Sequence, residues 1–334
     1  MDCVSAAMIP SLSFRHFASR SMSIHFKALF TLAAIAPILT EIVSGNTPAH
    51  ALLDPRIVLF LLMAYSLPLL IIRELSVRWR LSTAGVFLLG LAYGILNEGL
   101  IAQTLLRSEH VPIDKFDHYI YAAGFNFSWF CVIVPWHALL AVLFPITLVA
   151  FWFPNCSQTT WLGTRAFAAL SAVLVALITF LGVVRRPHPQ MLACLFGLAV
   201  LVAFATFFRA RGAPQPPGKG RWVAAFLFGI VAYFAFFLGT IVLAKIRVPA
   251  LAFLAIAPTG LAALARFSRR VEFLILPTAA SVALGVYFAV SAFNGLGGIA
   301  RHSMEKGLTG TSLAVVFLYL AYRGARIAEP ASVC

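Results

Sequence analysis

The sequence predicts an all-α polytopic transmembrane bundle of about ten helices with both termini cytoplasmic. Three observations carry that expectation. The 334 residues are 61% hydrophobic and only 11% charged, with a mean hydropathy of +0.94. Soluble domains carry about 25% charged residues, and so few charges would not cover a soluble core this apolar. The apolar residues also fall in long runs, of the kind that crosses about 30 Å of hydrocarbon as helix. Finally, lysine and arginine concentrate in alternate connections between those runs.

Ten spans are expected, at 28–44, 57–72, 82–105, 127–153, 162–184, 190–208, 222–244, 249–266, 272–292 and 307–322. With the N-terminus inside, the inner segments hold 16 lysines and arginines and the outer loops nine. This bias favours cytoplasmic termini. The loop at 106–126, long and with three acids against two bases, is then outside. The formal charge of +14 would suggest nucleic acid in a soluble protein. Here the bases sit in short loops, as topology signals and contacts for anionic headgroups. Membrane lipids are the expected partners, nucleic acid is not, and the expected location is a bacterial-type plasma (inner) membrane. The five cysteines, Cys3, Cys131, Cys156, Cys194 and Cys334, form no CxxC pair. With no HExxH-type spacing either, no metal and no cofactor is expected.

The expected organisation is a basic cytoplasmic tail at 1–27, a six-helix part at 28–208, a linker at 209–221, a four-helix part at 222–322 and a second tail at 323–334. The first tail is rich in serine and arginine, like a transit peptide, and Met22 is an alternative start. The linker, RARGAPQPPGKGR, cannot continue a helix. Comparing spans one to five with six to ten reveals no shared polar or glycine/proline pattern, which argues against a five-helix inverted repeat. The stretch RHSMEKG, at 301–307, reads as a solvated outer loop.

Ionisable residues inside spans are costly, so each is a functional candidate. Glu41, Glu98 and His137 lie well inside, whereas snorkelling to the inner boundary accounts for Arg73 and Glu74. On the expected topology the three candidates fall about 5, 10 and 15 Å below the outer boundary, at roughly 1.5 Å per residue. A polar pocket open to that side follows, with Asn97, Gln103 and Asn126 at similar or shallower depth. Gly90, Gly94, Glu98 and Ala102 recur every four residues, so Glu98 should face a helix–helix seam. Pro37 and Pro135 interrupt the helices just before Glu41 and His137, a break that water or polar groups can satisfy. Asn126-Phe127-Ser128 matches a glycosylation sequon that a bacterial chain would not use.

At Asn97-Glu98, followed one span later by Trp136-His137, the chain resembles the CAAX protease and bacteriocin-processing family of intramembrane glutamic proteases. Those proteins carry a double glutamate followed by an arginine, and histidines on later helices. The resemblance implies that Glu98 is a water-activating base and His137 its partner. It covers two spans of ten. Asn97 stands in place of the first glutamate, Ala102 or Gln103 in place of the arginine, and Ile133 where a phenylalanine precedes the histidine by four. The chain also resembles uncharacterised bacterial multi-pass membrane proteins. Three readings of the polar pocket stay open at this level: an intramembrane hydrolase, a small-solute or proton-coupled transporter, and a structural Glu–His contact in an accessory protein.

Overall fold

The computed structural model describes residues 12–42, 47–111, 116, 118–184, 188–210, 236 and 239–268, with isolated positions 308, 312, 315, 316 and 319. The described chain is mostly helical. Five stretches are long and apolar enough to cross a membrane: Ile24–Ile42, Pro55–Arg78, Thr83–Ile101, Phe127–Ala150 and Thr164–Leu181. Met191–Ala205 is apolar but shorter. The expected span at 272–292, most of those at 222–244 and 307–322, most of the linker, the 301–307 loop and the second tail lie outside the described residues.

The first helix, α1 (Leu12–Pro37), begins within the basic N-terminal stretch. The second span comprises α2 (Pro55–Leu61) and α3 (Leu67–Arg78), and the third begins with α4 (Thr83–Ile95). The fourth is built from α5 (Phe127–Trp136) and α6 (Phe144–Trp152). After these come α7 (Thr164–Val184), α8 (Met191–Ala205) and α9 (Ala250–Ser268).

Each of the first four spans contains a wider π-helical turn: Ile38–Ile42, Leu62–Ser66, Leu96–Ile101 and His137–Leu143. Such turns insert one residue into the helical register and recur at functional sites. Proline accompanies three of them. Pro37 and Pro135 lie just before a π turn, and Pro68 and Pro145 just after one. A proline cannot donate to the carbonyl four residues back, so that oxygen needs another donor. Ser66 Oγ donates to Ala33 O at 2.6 Å, the oxygen Pro37 leaves open. Tyr93 Oη donates to Ala64 O at 3.0 Å, the one Pro68 leaves open. The helix breaks are therefore stitched by side chains from neighbouring helices.

The connections collect at two ends. At one, the turn after α3 meets the chain beyond α8, where Ser82 N donates to Phe208 O at 2.8 Å and Ala210 N to Arg80 O at 2.7 Å. At the other lies the connection from span three to span four, which folds back on the bundle and buries Phe116 and Tyr119. It includes a short antiparallel ribbon of β1 (Tyr121–Ala122) and β2 (Phe125–Asn126). Gln190 Nε2 ties the chain ahead of α8 to this ribbon, donating to Ala123 O at 2.8 Å.

The third span is shorter than its expected extent of 82–105, because its helical turns end at Ile101. Ala102 N closes the π turn onto Asn97 O at 2.7 Å, and Gln103 then takes a left-handed φ of 61°. Leu105 N returns to Glu98 O at 3.1 Å. Glu98 thus stands three residues from the helix end instead of seven, beneath the folded connection.

Gly90 and Gly94 form the close seam that their spacing implied. A Cβ at Gly90 would meet Ala138 Cα at 2.7 Å, and one at Gly94 would meet Val134 Cα at 2.8 Å. Both obstacles are backbone that cannot swing aside. Gly94→Val should therefore push α4 off the fourth span and lower the unfolding midpoint in detergent by several degrees, with overpacking costing about 1–3 kcal/mol. A midpoint equal to that of the wild type would show the seam to be looser than described.

Candidate functional site

Polar residues from each of the first four spans meet in one buried cluster built on the π turns. Glu98, 7% exposed, directs Oε1 to His137 Nε2 at 2.7 Å. Its Oε2 accepts the Thr104 hydroxyl, which the turn at Gln103 carries back over the helix end. Trp129 Nε1 donates to Thr104 Oγ1 at 3.0 Å, so the Thr104 hydrogen is directed to Glu98. Glu98 Oε2 thus accepts from Thr104, and with Glu98 ionised its Oε1 accepts from His137 Nε2–H. His137 is 4% exposed, and its Nδ1 has no hydrogen-bond partner among the described residues.

Glu41 repeats this arrangement from span one. Its Oε2 accepts Thr47 Oγ1 at 2.6 Å and its Oε1 pairs with the Tyr65 hydroxyl. Tyr65 sits in the π turn of span two, as His137 sits in that of span four. The two rings lie nearly parallel, their centroids 6.3 Å apart and their planes 24° from one another. Tyr93 presents its edge to His137 at 5.5 Å. Glu41 also lies close enough to interact by charge with both Glu98 and His137.

The correspondence extends to the sequence. LTEIVSGNT, 39–47, and LNEGLIAQT, 96–104, share leucine, glutamate and threonine in register, with Thr/Asn before the glutamate and Asn/Gln before the threonine. In each copy the threonine six residues on returns to the glutamate's Oε2, and an aromatic group from the next span reaches its Oε1. The likeness therefore runs between spans one–two and three–four.

Not every expected member joins the cluster. Asn97 touches it through Tyr93, donating from Nδ2 to the phenol oxygen at 3.3 Å. Gln103 faces elsewhere, accepting Arg107 Nε at 2.9 Å and approaching Met191 Sδ at 3.9 Å. Asn126 is a fully buried cap: its Oδ1 accepts Trp129 N at 2.9 Å and its Nδ2 donates to Phe116 O at 2.9 Å. A side chain so engaged is no glycosylation acceptor. Tyr65, Tyr93, Thr47, Thr104 and Trp129 were not singled out from sequence. The repeated glutamate–threonine spacing was the signal that would have found the two threonines. Among the described residues, no group of three or more His, Cys, Asp or Glu is placed to hold a metal ion.

Snorkelling does not describe Arg73 and Glu74, because both are buried, at 2% and 1% exposure. They pair at 2.7 Å. Arg73 Nη2 also donates to Cys156 O at 3.1 Å and Ser157 O at 3.0 Å, and its guanidinium lies 3.4 Å from the centre of the Trp161 ring. Glu74 Oε1 accepts Trp161 N at 2.8 Å. The pair thus fastens the connection between α6 and α7 to α3, at the end opposite the Glu98 cluster.

The sequence pattern of a family described as "Uncharacterized membrane protein family" matches residues 30–329. No curated protein and no solved structure gives a significant match. Nothing in these comparisons supports the resemblance to the CAAX protease and bacteriocin-processing family.

Proposed function

The chain belongs to this uncharacterised membrane protein family, and from that premise we propose that it is an intramembrane hydrolase of acyl bonds, with Glu98 and His137 as its base. The observation that carries the reading is the buried Glu98–His137 hydrogen bond that leaves His137 Nδ1 unpartnered. Buried polar atoms are nearly always paired, so a bare ring nitrogen beside an orienting carboxylate calls for a role. A carboxylate that holds one imidazole N–H fixes the tautomer and stabilises the imidazolium formed when the other nitrogen takes a proton. Here Glu98 holds Nε2–H, and Nδ1 would take a proton from water as the water oxygen attacks the acyl carbon. Thr104 and Trp129 keep Glu98 in place. Seclusion from bulk water strengthens each of these electrostatic contacts.

The lysine and arginine distribution supports cytoplasmic termini in a plasma-membrane bundle of about ten spans, with this cluster near the outer face. A local site in the first four spans suits hydrolysis better than transport, since alternating access is commonly built from repeats that span the whole fold. The test uses purified protein in proteoliposomes, screened with ester and amide acyl probes and, in parallel, for solute-driven pH change. The wild type should hydrolyse an acyl probe, and Glu98→Gln should lose that turnover while staying folded. A solute-driven pH change that depends on Glu98, with no hydrolysis, would make the pair a transporter's proton relay and end this reading.

A further inference from the structure

Hydrolysis of an ester or amide needs a proton for the departing group as well as a base for the water. The duplicated motif supplies a counterpart to the base in the right setting. We propose that Glu41 and Tyr65 form a second proton-transfer pair, equivalent in position to Glu98 and His137, which protonates the leaving group of an acyl substrate. The inference rests on the hydrolytic reading above and adds to it a substrate class: esters or amides whose alkoxide or amine departs poorly without an acid.

Three observations converge on this pair. Glu41 and Glu98 occupy matching positions of a repeated nine-residue pattern, and each receives a threonine hydroxyl on Oε2. Each offers Oε1 to an aromatic side chain from a π turn of the following span. The two aromatic rings lie nearly parallel with their centroids 6.3 Å apart, which sets the two pairs side by side. The copies differ where chemistry would need them to differ. An imidazole keeps a lone pair for accepting a proton, whereas a phenol hydroxyl brings a proton to give.

The protons balance as follows. The Tyr65 hydroxyl lies on Glu41 Oε1 as donor; with Glu41 protonated the bond reverses, Oε1–H donating to Tyr65 Oη and the Tyr65 hydrogen turning to the leaving atom. Thr47 donates to Glu41 Oε2 throughout. Water attacks the acyl carbon as one of its protons passes to His137 Nδ1. The bond from the acyl carbon to the leaving oxygen or nitrogen breaks as that atom takes the Tyr65 proton. The Glu41 proton then moves to Tyr65 Oη. The proton held by His137 returns to Glu41 through water in the vacated site, which completes the cycle. The net change is addition of one water across the acyl bond. The titratable groups that face one another here are Glu41, Glu98, His137, Tyr65 and Tyr93.

A comparison of leaving groups tests the assignment. The probes are a p-nitrophenyl ester, whose phenolate departs without help, and the alkyl ester of the same medium-chain fatty acid. Tyr65→Phe keeps the ring against His137 but removes the hydroxyl. Glu41→Gln keeps the acceptor for Thr47 but carries no mobile proton. General-acid catalysis contributes about 10²–10⁴-fold, so alkyl-ester turnover should fall by about 10²-fold or more in either variant. The p-nitrophenyl rate should fall at least about tenfold less than that. Glu98→Gln should lower both esters alike. Equal losses on the two esters, in variants that remain folded by size-exclusion and thermal unfolding, would overturn the acid role and leave the base reading standing. If the wild type turns over neither ester, both readings fall together.

Discussion

His137→Gln lowers turnover of an acyl probe by about 10²–10⁴-fold, the usual contribution of a positioned base. Glutamine is chosen because its amide nitrogen can stand where Nε2 stands. Glu98 Oε1 then keeps a donor and no buried carboxylate oxygen is stranded, while the free nitrogen at Nδ1 is gone. The loss should therefore fall on kcat rather than on KM, since the removed group acts on the reacting water. The ring contacts with Tyr65 and Tyr93 are lost as well. Aromatic pairs contribute about 0.5–1.5 kcal/mol beyond their burial, so the unfolding midpoint should drop only modestly. Steady-state rates and thermal unfolding in the same detergent separate the two effects. A variant that keeps most of its kcat would remove His137 from the chemistry.

Arg73→Met produces the largest expected loss of stability. Methionine fills part of the arginine's volume, but it leaves Glu74 buried without its 2.7 Å partner. Breaking one side of a buried ion pair costs up to about 3–5 kcal/mol, and here Arg78 Nε, 3.6 Å from Glu74 Oε2, offsets part of that loss. The carbonyls of Cys156 and Ser157 lose their donor at the same time. Cys156 provides a second, local readout. Burial raises its thiol above the ordinary cysteine range, partly offset by the nearby Arg73 guanidinium. The thiol thus stays protonated at neutral pH and should alkylate slowly in a variant with no other cysteine. In Arg73→Met the α6–α7 connection loosens and alkylation should accelerate, alongside a much lower midpoint. An unchanged midpoint and an unchanged labelling rate would mean the pair is ornamental.

Composition and run length alone revealed a helical membrane protein, because burying apolar residues in lipid leaves no other economical backbone. The Gly90/Gly94 stripe revealed the seam, since only missing side chains let helices approach so closely. Local interruptions hid the rest. An expected span of 82–105 places Glu98 seven residues inside a straight helix, but the π turn at Leu96–Ile101 and the sharp turn at Gln103 set it near the helix end. Arg73 and Glu74 read as boundary residues because sequence does not reveal that the α6–α7 connection folds over them. Tyr65 and Tyr93 carry no signal inside apolar runs. Their roles follow from hydroxyls that meet a carboxylate and a carbonyl opened by Pro68. The glutamate–threonine repeat was present in the sequence, but at a two-span period, not the five-span period that transporters suggest.

A double-mutant comparison tests most directly whether Glu98 and His137 act as one base. The kcat/KM of wild type, Glu98→Gln, His137→Gln and the double variant would be measured on one acyl probe, each confirmed as folded. Groups that act as a unit are strongly non-additive. Each single variant should lose nearly as much as the double. Losses that multiply, so that the double falls by the product of the two singles, would contradict this expectation.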